Sequence, residues 1–120
     1  MLKSGKPVVA ISVAGGDLQD QAGLQLILDH IDFGMPASKA MSTPRFATEH
    51  HISSFGPEGP KLGSLEVNRD ISQETIENLE HLGHKVKVTN GEIGGAAMIS
   101  CDLAAAACEG SGSAAKSAAK

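Results

Sequence analysis

An apolar run that ends on two glycines and an aspartate constrains this chain more than any other feature. In GKPVVAISVAGGDLQDQAGLQLILDH, Gly5 to His30, the residues Val8, Val9, Ala10, Ile11 and Val13 lead into Gly15–Gly16 and then Asp17. The pattern predicts a buried strand, a tight turn and a helix, with Asp17 as the N-cap. Glycines can turn there at positive φ and present bare N–H groups, and the helix N-terminus adds partial positive charge behind them. Such a corner suits a developing oxyanion or a phosphate. The same pattern also describes an ordinary strand-to-helix corner. Only Gly23 follows, and no Gly-Lys-Ser/Thr, so neither a dinucleotide fingerprint nor a P-loop is present.

A chain of 120 residues makes one domain at most. Its net charge of −4 leaves no basic stripe to neutralise phosphates, which argues against a nucleic-acid partner. Phe33, Phe46 and Phe55 are the only aromatics, so the core must be aliphatic and base-stacking platforms are not expected. No apolar run approaches the ~20 residues of a membrane span, and MLKSGKP does not read as a signal peptide; no membrane association and a cytoplasmic setting are expected. Cys101 and Cys108 could pair across a hairpin, but are read here as two small buried thiols of a cytosolic protein.

Further along, Leu18, Ala22 and Leu26, with Leu24, Ile27, Leu28 and Ile31, cover a broad face, so the helix from Asp17 to Phe33 is expected to be mostly buried. Gly34 and Pro36 stop it, a short helix from about Pro36 to Met41 follows, and Thr43-Pro44 ends that one. Arg45 to Phe55 reads as extended, GPEGPKLG as a loop and SLEVNR as a short strand. Ser72 then caps a helix, with Ile71 and Ile76 as a hydrophobic staple and Gly83 as the stop. KVKVT alternates as a strand, Asn90-Gly91 signals a turn, AAMIS is an apolar strand, and a last strand could run from Ala104 to Cys108. The predicted order is β-α-α-β-β-α-β-β-(β), an α+β arrangement of residues 1–109. Residues 110–120, GSGSAAKSAAK, read as a flexible low-complexity tail.

Other candidates for chemistry are weaker. His50 and His51 follow Glu49, but neighbours in an extended segment point to opposite faces, and one ligand does not make a metal site. His81 and His84 flank a helix C-terminus and read as complements to its dipole. Asp17, Asp20, Asp29 and Asp32 fit capping and solvation. Ser4, Ser12 and Thr43 carry no G-x-S-x-G or S-x-x-K context. No metal and no cofactor is implied, and the residues read by themselves offer half an oxyanion hole without a nucleophile.

In order and separation, GKPVVAISVAGGDLQDQ, LQLILDHIDFGMPASKAMSTPRF, LEVNRDISQETIENLEHLGHKVKV and GGAAMIS resemble the C-terminal part of the small subunit of γ-glutamyltranspeptidases. These belong to the N-terminal-nucleophile hydrolases. The resemblance spans about Gly5 to Asp102 and implies part of a four-layer αββα sandwich. It places the family's oxyanion glycines on Gly15 and Gly16, and its alanine-proline-arginine motif on Thr43-Pro44-Arg45, where Arg45 is expected to hold structure near the site. The implied chemistry is attack by an N-terminal threonine on a γ-glutamyl donor, with acyl transfer to water or an amino acid.

The departures shape the expectation. No Thr-Thr-His start, no donor-binding aspartate and no serine pair before the glycines is found, and Ala14 stands where the family has proline. The resemblance therefore implies a piece that supplies the oxyanion turn within a larger parent, where the γ-glutamyl substrate binds. The alternative is a non-enzymatic domain that associates with itself or with a complementary chain through sheet surface left uncovered.

Overall fold

A computed structural model describes residues 1–112. After the small hairpin β1 (Leu2–Lys3) and β2 (Lys6–Pro7), β3 (Val9–Val13) runs antiparallel to β7 (Ala96–Asp102), with Val9 opposite Ser100 and Val13 opposite Ala96. β8 (Ala107–Gly112) continues this sheet on the far side of β7. Alternation along β3 turns Val9, Ile11 and Val13 to one face and leaves Ala10 and Ser12 exposed on the other. Helices α1 (Leu18–Ile27) and α2 (Ala37–Ser42) cover the first face. Leu26, Ala37, Ala40, Met41, Ala96 and Met98 form the core between them. Small alanines at these helix positions let the backbones approach the sheet closely.

The second sheet has the order β4–β5–β6, from Phe46–Ala47, Ser64–Asn68 and Lys85–Thr89. β4 pairs antiparallel with β5, and β5 pairs parallel with β6 through helix α3 (Gln73–His81). Ser72 caps α3 by accepting the Thr75 N–H at 3.2 Å, and Gly83 at φ 96° closes it, with the His84 N–H donating to the Leu79 carbonyl at 3.1 Å. The Ile71–Ile76 staple packs on Leu65 and Val67 as a separate small core.

Two devices hold the sheets together. Arg45, 4% exposed, donates from Nε to the Ile93 carbonyl at 2.9 Å, and from its terminal nitrogens to Met41 at 3.1 Å and Gly94 at 3.5 Å. Gln25 and Gln21, one turn apart on α1, bond the backbone of β4 and the residue after it. Gln25 bonds the N–H and C=O of Phe46 at 3.1 and 2.9 Å, and Gln21 those of Thr48 at 2.8 and 2.9 Å. A pair of side-chain amides thus substitutes for a neighbouring strand along the free edge of β4.

Several expectations are corrected. α1 ends at Ile27 and passes into a π-helical turn, Leu28–Asp32; Leu24, Leu28 and Ile31 are 57, 39 and 46% exposed, because only the Ala22–Leu26 side of the helix meets the sheet. Of the segment from Arg45 to Phe55, only Phe46–Ala47 is strand. Asn90-Gly91 closes no hairpin, since β6 and β7 lie in different sheets. The last strand begins at Ala107 and continues to Gly112, so residues 110–112 of the expected tail are strand; residues 113–120 lie outside the described residues. Cys101 and Cys108 form a disulfide, because the turn between β7 and β8 sets them directly opposite. Asp102 stabilises that turn by accepting the N–H groups of Ala104 and Ala105 at 2.8 and 3.2 Å. The pairing removes the thiol argument for a cytosolic setting. No helix among the described residues is long and apolar enough to cross a membrane.

Arg45→Met strands three carbonyls and should lower the unfolding free energy by roughly 2–4 kcal/mol in a urea titration; an unchanged midpoint would show that the guanidinium does not join the sheets. Reducing the disulfide, which closes a loop with a sequence separation of 7, should cost about 2 kcal/mol in the same titration.

Candidate functional site

The strand-to-helix corner is built as its glycines permit. Gly15 sits at φ 125° and Gly16 at φ 59°, both in the region that side chains disfavour. Their carbonyls accept the first helical amides, Leu18 N–H at 3.1 Å and Gln19 N–H at 2.9 Å. Among the described residues, neither glycine N–H has a hydrogen-bond partner. Ala14, just before them, is still tied to the segment leading into β7 by its N–H, which donates to the Gly95 carbonyl at 2.7 Å. The corner is backed by Gly94, at φ 68°, where a Cβ would lie 2.7 Å from that of Ala22; only glycine allows this approach.

Asp17 does not cap its helix with its side chain. Its carboxylate turns instead to the loop between β4 and β5, accepting the Ser54 N–H at 2.9 Å and lying 3.6 Å from His51 Nε2. The Ser54 hydroxyl and amide hold the Asp17 carboxyl below its ordinary value. The loop then lays Phe55 over the corner, close enough that a Cβ on Gly16 would stand 2.6 Å from the ring. At its far end Lys61 returns to Glu49, with ammonium to carboxylate at 3.1 Å and amide to carbonyl at 2.7 Å, and also meets Glu58 at 3.4 Å. Between corner, loop and second sheet lies an open cleft of about 340 Å³. Its lining includes Gly15, Asp17, His51 and Phe55 from the corner and loop, and Lys85 and Lys87 from β6. Lys87 pairs with Glu66 at 3.2 Å.

The remaining sequence candidates are scattered. His50 is exposed, and His51 alone of that pair reaches the corner. Among the described residues no group of three or more His, Cys, Asp or Glu side chains could hold a metal ion. Asp29 is raised above its ordinary value by burial, partly offset by the Arg45 charge. Asp20 and Asp32 are exposed, as are His81 and, on the outer sheet face, Ser12. Ser4 occupies the β1–β2 turn at φ 51°, and Thr43 spends its hydroxyl on the Lys39 carbonyl at 3.0 Å. Phe55, Gly94 and the two glutamines were not singled out from sequence. The spacing of Gln21 and Gln25, one turn apart on a helix, was the available signal.

This arrangement is a corner of an N-terminal-nucleophile hydrolase layer: an antiparallel sheet covered by helices, with a glycine pair where β3 enters α1. The γ-glutamyltranspeptidase family model matches residues 1–119, and the chain belongs to that family. It is 28% identical over 102 residues to a glutathione hydrolase proenzyme of Bacillus subtilis, covering 85% of this chain and 16% of the relative. A glutathione hydrolase-like proenzyme of the same organism, YwrD, is 30% identical over 86 residues, covering 72% of this chain and 15% of the relative. The chain thus spans about a sixth of the length of these curated relatives. Among solved structures, the LmbA2991 T421A variant superimposes with a TM-score of 0.82 at 26% identity, covering 92% of this chain and 20% of the other. An acivicin-inhibited γ-glutamyltranspeptidase shares the fold with a TM-score of 0.76 at 21% identity, covering 98% and 58%.

Because the folded carboxyl of Asp17 lies below its unfolded value, the tie to Ser54 persists at neutral pH and is lost as the pH falls through the folded value, below 3.8. Asp17→Ala should therefore speed amide exchange at Ser54 near neutral pH while leaving the global urea midpoint almost unmoved. Unchanged exchange at Ser54 would remove Asp17 as the anchor of the loop.

Proposed function

We propose that this chain supplies the oxyanion-stabilising corner of a γ-glutamyl transfer or hydrolysis centre, whose nucleophile lies on another part of the larger family architecture. The observation that carries the reading is the pair of glycine amides at the start of α1 that have no partner among the described residues, both glycines at positive φ. Fixed backbone donors of this kind stabilise the charge that develops on a carbonyl oxygen without reorganising during the reaction. The helix dipole behind them adds to the effect. The adjoining cleft, with carboxylates and ammonium groups on its walls, supports a small zwitterionic ligand such as a γ-glutamyl donor. Arg45 serves this site indirectly, by holding the Ile93–Gly94 segment against α1 behind the corner.

The chain alone is expected to turn over no γ-glutamyl anilide. Within a continuous family polypeptide that carries the N-terminal threonine, Gly16→Val should lower kcat by about 100- to 1,000-fold. Valine keeps its backbone N–H but strains the positive φ that aims it. Since the new side chain would also strike Phe55, the Phe55→Ala background separates crowding from displacement of the amide, and recovery of full activity there would refute the oxyanion role.

The uncovered side of the first sheet favours a second reading, a domain that docks on a complementary chain. Ala10 and Ser12 on β3 and Ala97 and Ile99 on β7 face outward, with Ile99 52% exposed. The larger extent of the relatives argues that another segment of such a polypeptide supplies the missing layer. The isolated chain should then self-associate at micromolar concentration, whereas sedimentation as a compact, stable monomer would oppose this reading.

A further inference from the structure

We infer that Ser100 is an activated nucleophile with His30 as its general base, forming a second reactive site that accepts acyl groups from small carboxylic esters. The Ser100 hydroxyl lies 2.8 Å from His30 Nε2, and His30 Nδ1 lies 2.7 Å from the Met35 carbonyl oxygen. A carbonyl can only accept, so Nδ1 carries the proton of the neutral ring. Nε2 is then left with its lone pair toward the serine hydroxyl. Nucleophile, base and a third group that orients the base are the components of serine activation. None of the three belongs to the glycine corner: Ser100 pairs with Val9 at the opposite end of β3, about 13 Å along the strand from Val13.

The surroundings fit the same role. His30 sits in the π-helical turn Leu28–Asp32, an irregularity that recurs at functional sites. His30 and Ser100 are both half-buried, positioned by packing yet reachable from solvent. Glu109 stands directly opposite Ser100 on β8 and shares its face of the sheet, its carboxylate accepting the Ser38 N–H at 3.0 Å. The Ser38 hydrogen bonds hold the Glu109 carboxyl below its ordinary value, with a smaller contribution from His30. Within the turn itself, Asp29 and Asp32 add the nearby carboxyls, and the Arg45 charge acts on Asp29. In the step assigned here, Ser100 Oγ bonds to the ester carbonyl carbon as its proton passes to His30 Nε2. The tetrahedral adduct then breaks its bond to the leaving oxygen, which takes that proton, and the acyl group remains as an ester on Ser100.

The test is p-nitrophenyl acetate with the intact chain, read by p-nitrophenolate release and by peptide mapping of the acetyl group. Acetylation at Ser100 is expected, with a rate that falls from about pH 8 to about pH 5, the interval in which histidine side chains change charge. His30→Gln keeps a hydrogen-bond acceptor but cannot take the proton, and should slow Ser100 acetylation by about 100-fold. Acetyl groups found only on lysines, a rate at Ser100 that is flat across that pH interval, or an undiminished rate in folded His30→Gln would each overturn the proposal. Should His30→Gln fail to fold by circular dichroism, the pH profile of the unaltered chain decides alone.

Discussion

A buried guanidinium holding three backbone carbonyls is the interaction on which the rest of this structure depends. Each sheet has its own apolar cluster, and neither is large. Arg45 starts the segment that enters the second sheet while its head group grips Met41 at the end of α2 and Ile93–Gly94 just before β7. The Arg45 carbonyl in turn accepts the Asn68 N–H at 3.0 Å, at the end of β5. A permanently charged group can be buried here because aligned carbonyl dipoles replace its hydration. A lysine could not do the same, since its compact ammonium lacks the planar fork that reaches three acceptors on two segments at once.

The candidate oxyanion corner follows from this joint. With Gly94 held against Ala22, the first turn of α1 is set relative to β3, and Gly15 and Gly16 take up positive φ between them. The loop after β4 closes over the corner through Asp17 and Phe55, while Gln21 and Gln25 fix where that loop begins. Sheet edge, helix start and loop therefore form one connected polar framework around small residues. The chain belongs to the γ-glutamyltranspeptidase family and spans about a sixth of the length of the curated relatives it matches, consistent with the open outer face of the first sheet.

Much of this was legible in the residues because it is local. Strand, glycine pair and helix at the corner, the Ser72 cap, the Ile71–Ile76 staple and the KVKVT strand each depend on neighbours within about one or two helical turns or strand steps. Arg45 was expected to be structural from its place in the Thr43-Pro44-Arg45 motif, and its buried contacts agree. Gly15 and Gly16 were marked by their position between strand and helix; their service as oxyanion donors remains a proposal about chemistry that a backbone conformation supports.

What only the tertiary structure decided involves partners far apart in sequence. Helical periodicity marked Leu24, Leu28 and Ile31 as core-facing, but periodicity says that a face is apolar and not that another layer covers it. Asn90-Gly91 signalled a turn, yet whether the following strand pairs with β6 or joins another sheet is set by competition among edges. The spacing of Cys101 and Cys108 allowed a disulfide or two thiols, and the register of β7 with β8 chose between them. The Asp17–Ser54 and His30–Ser100 bonds bridge 37 and 70 residues. Sequence alone determined the local conformations, because steric and capping preferences act between neighbours; the fold decided which polar groups meet, because that depends on how separate elements pack.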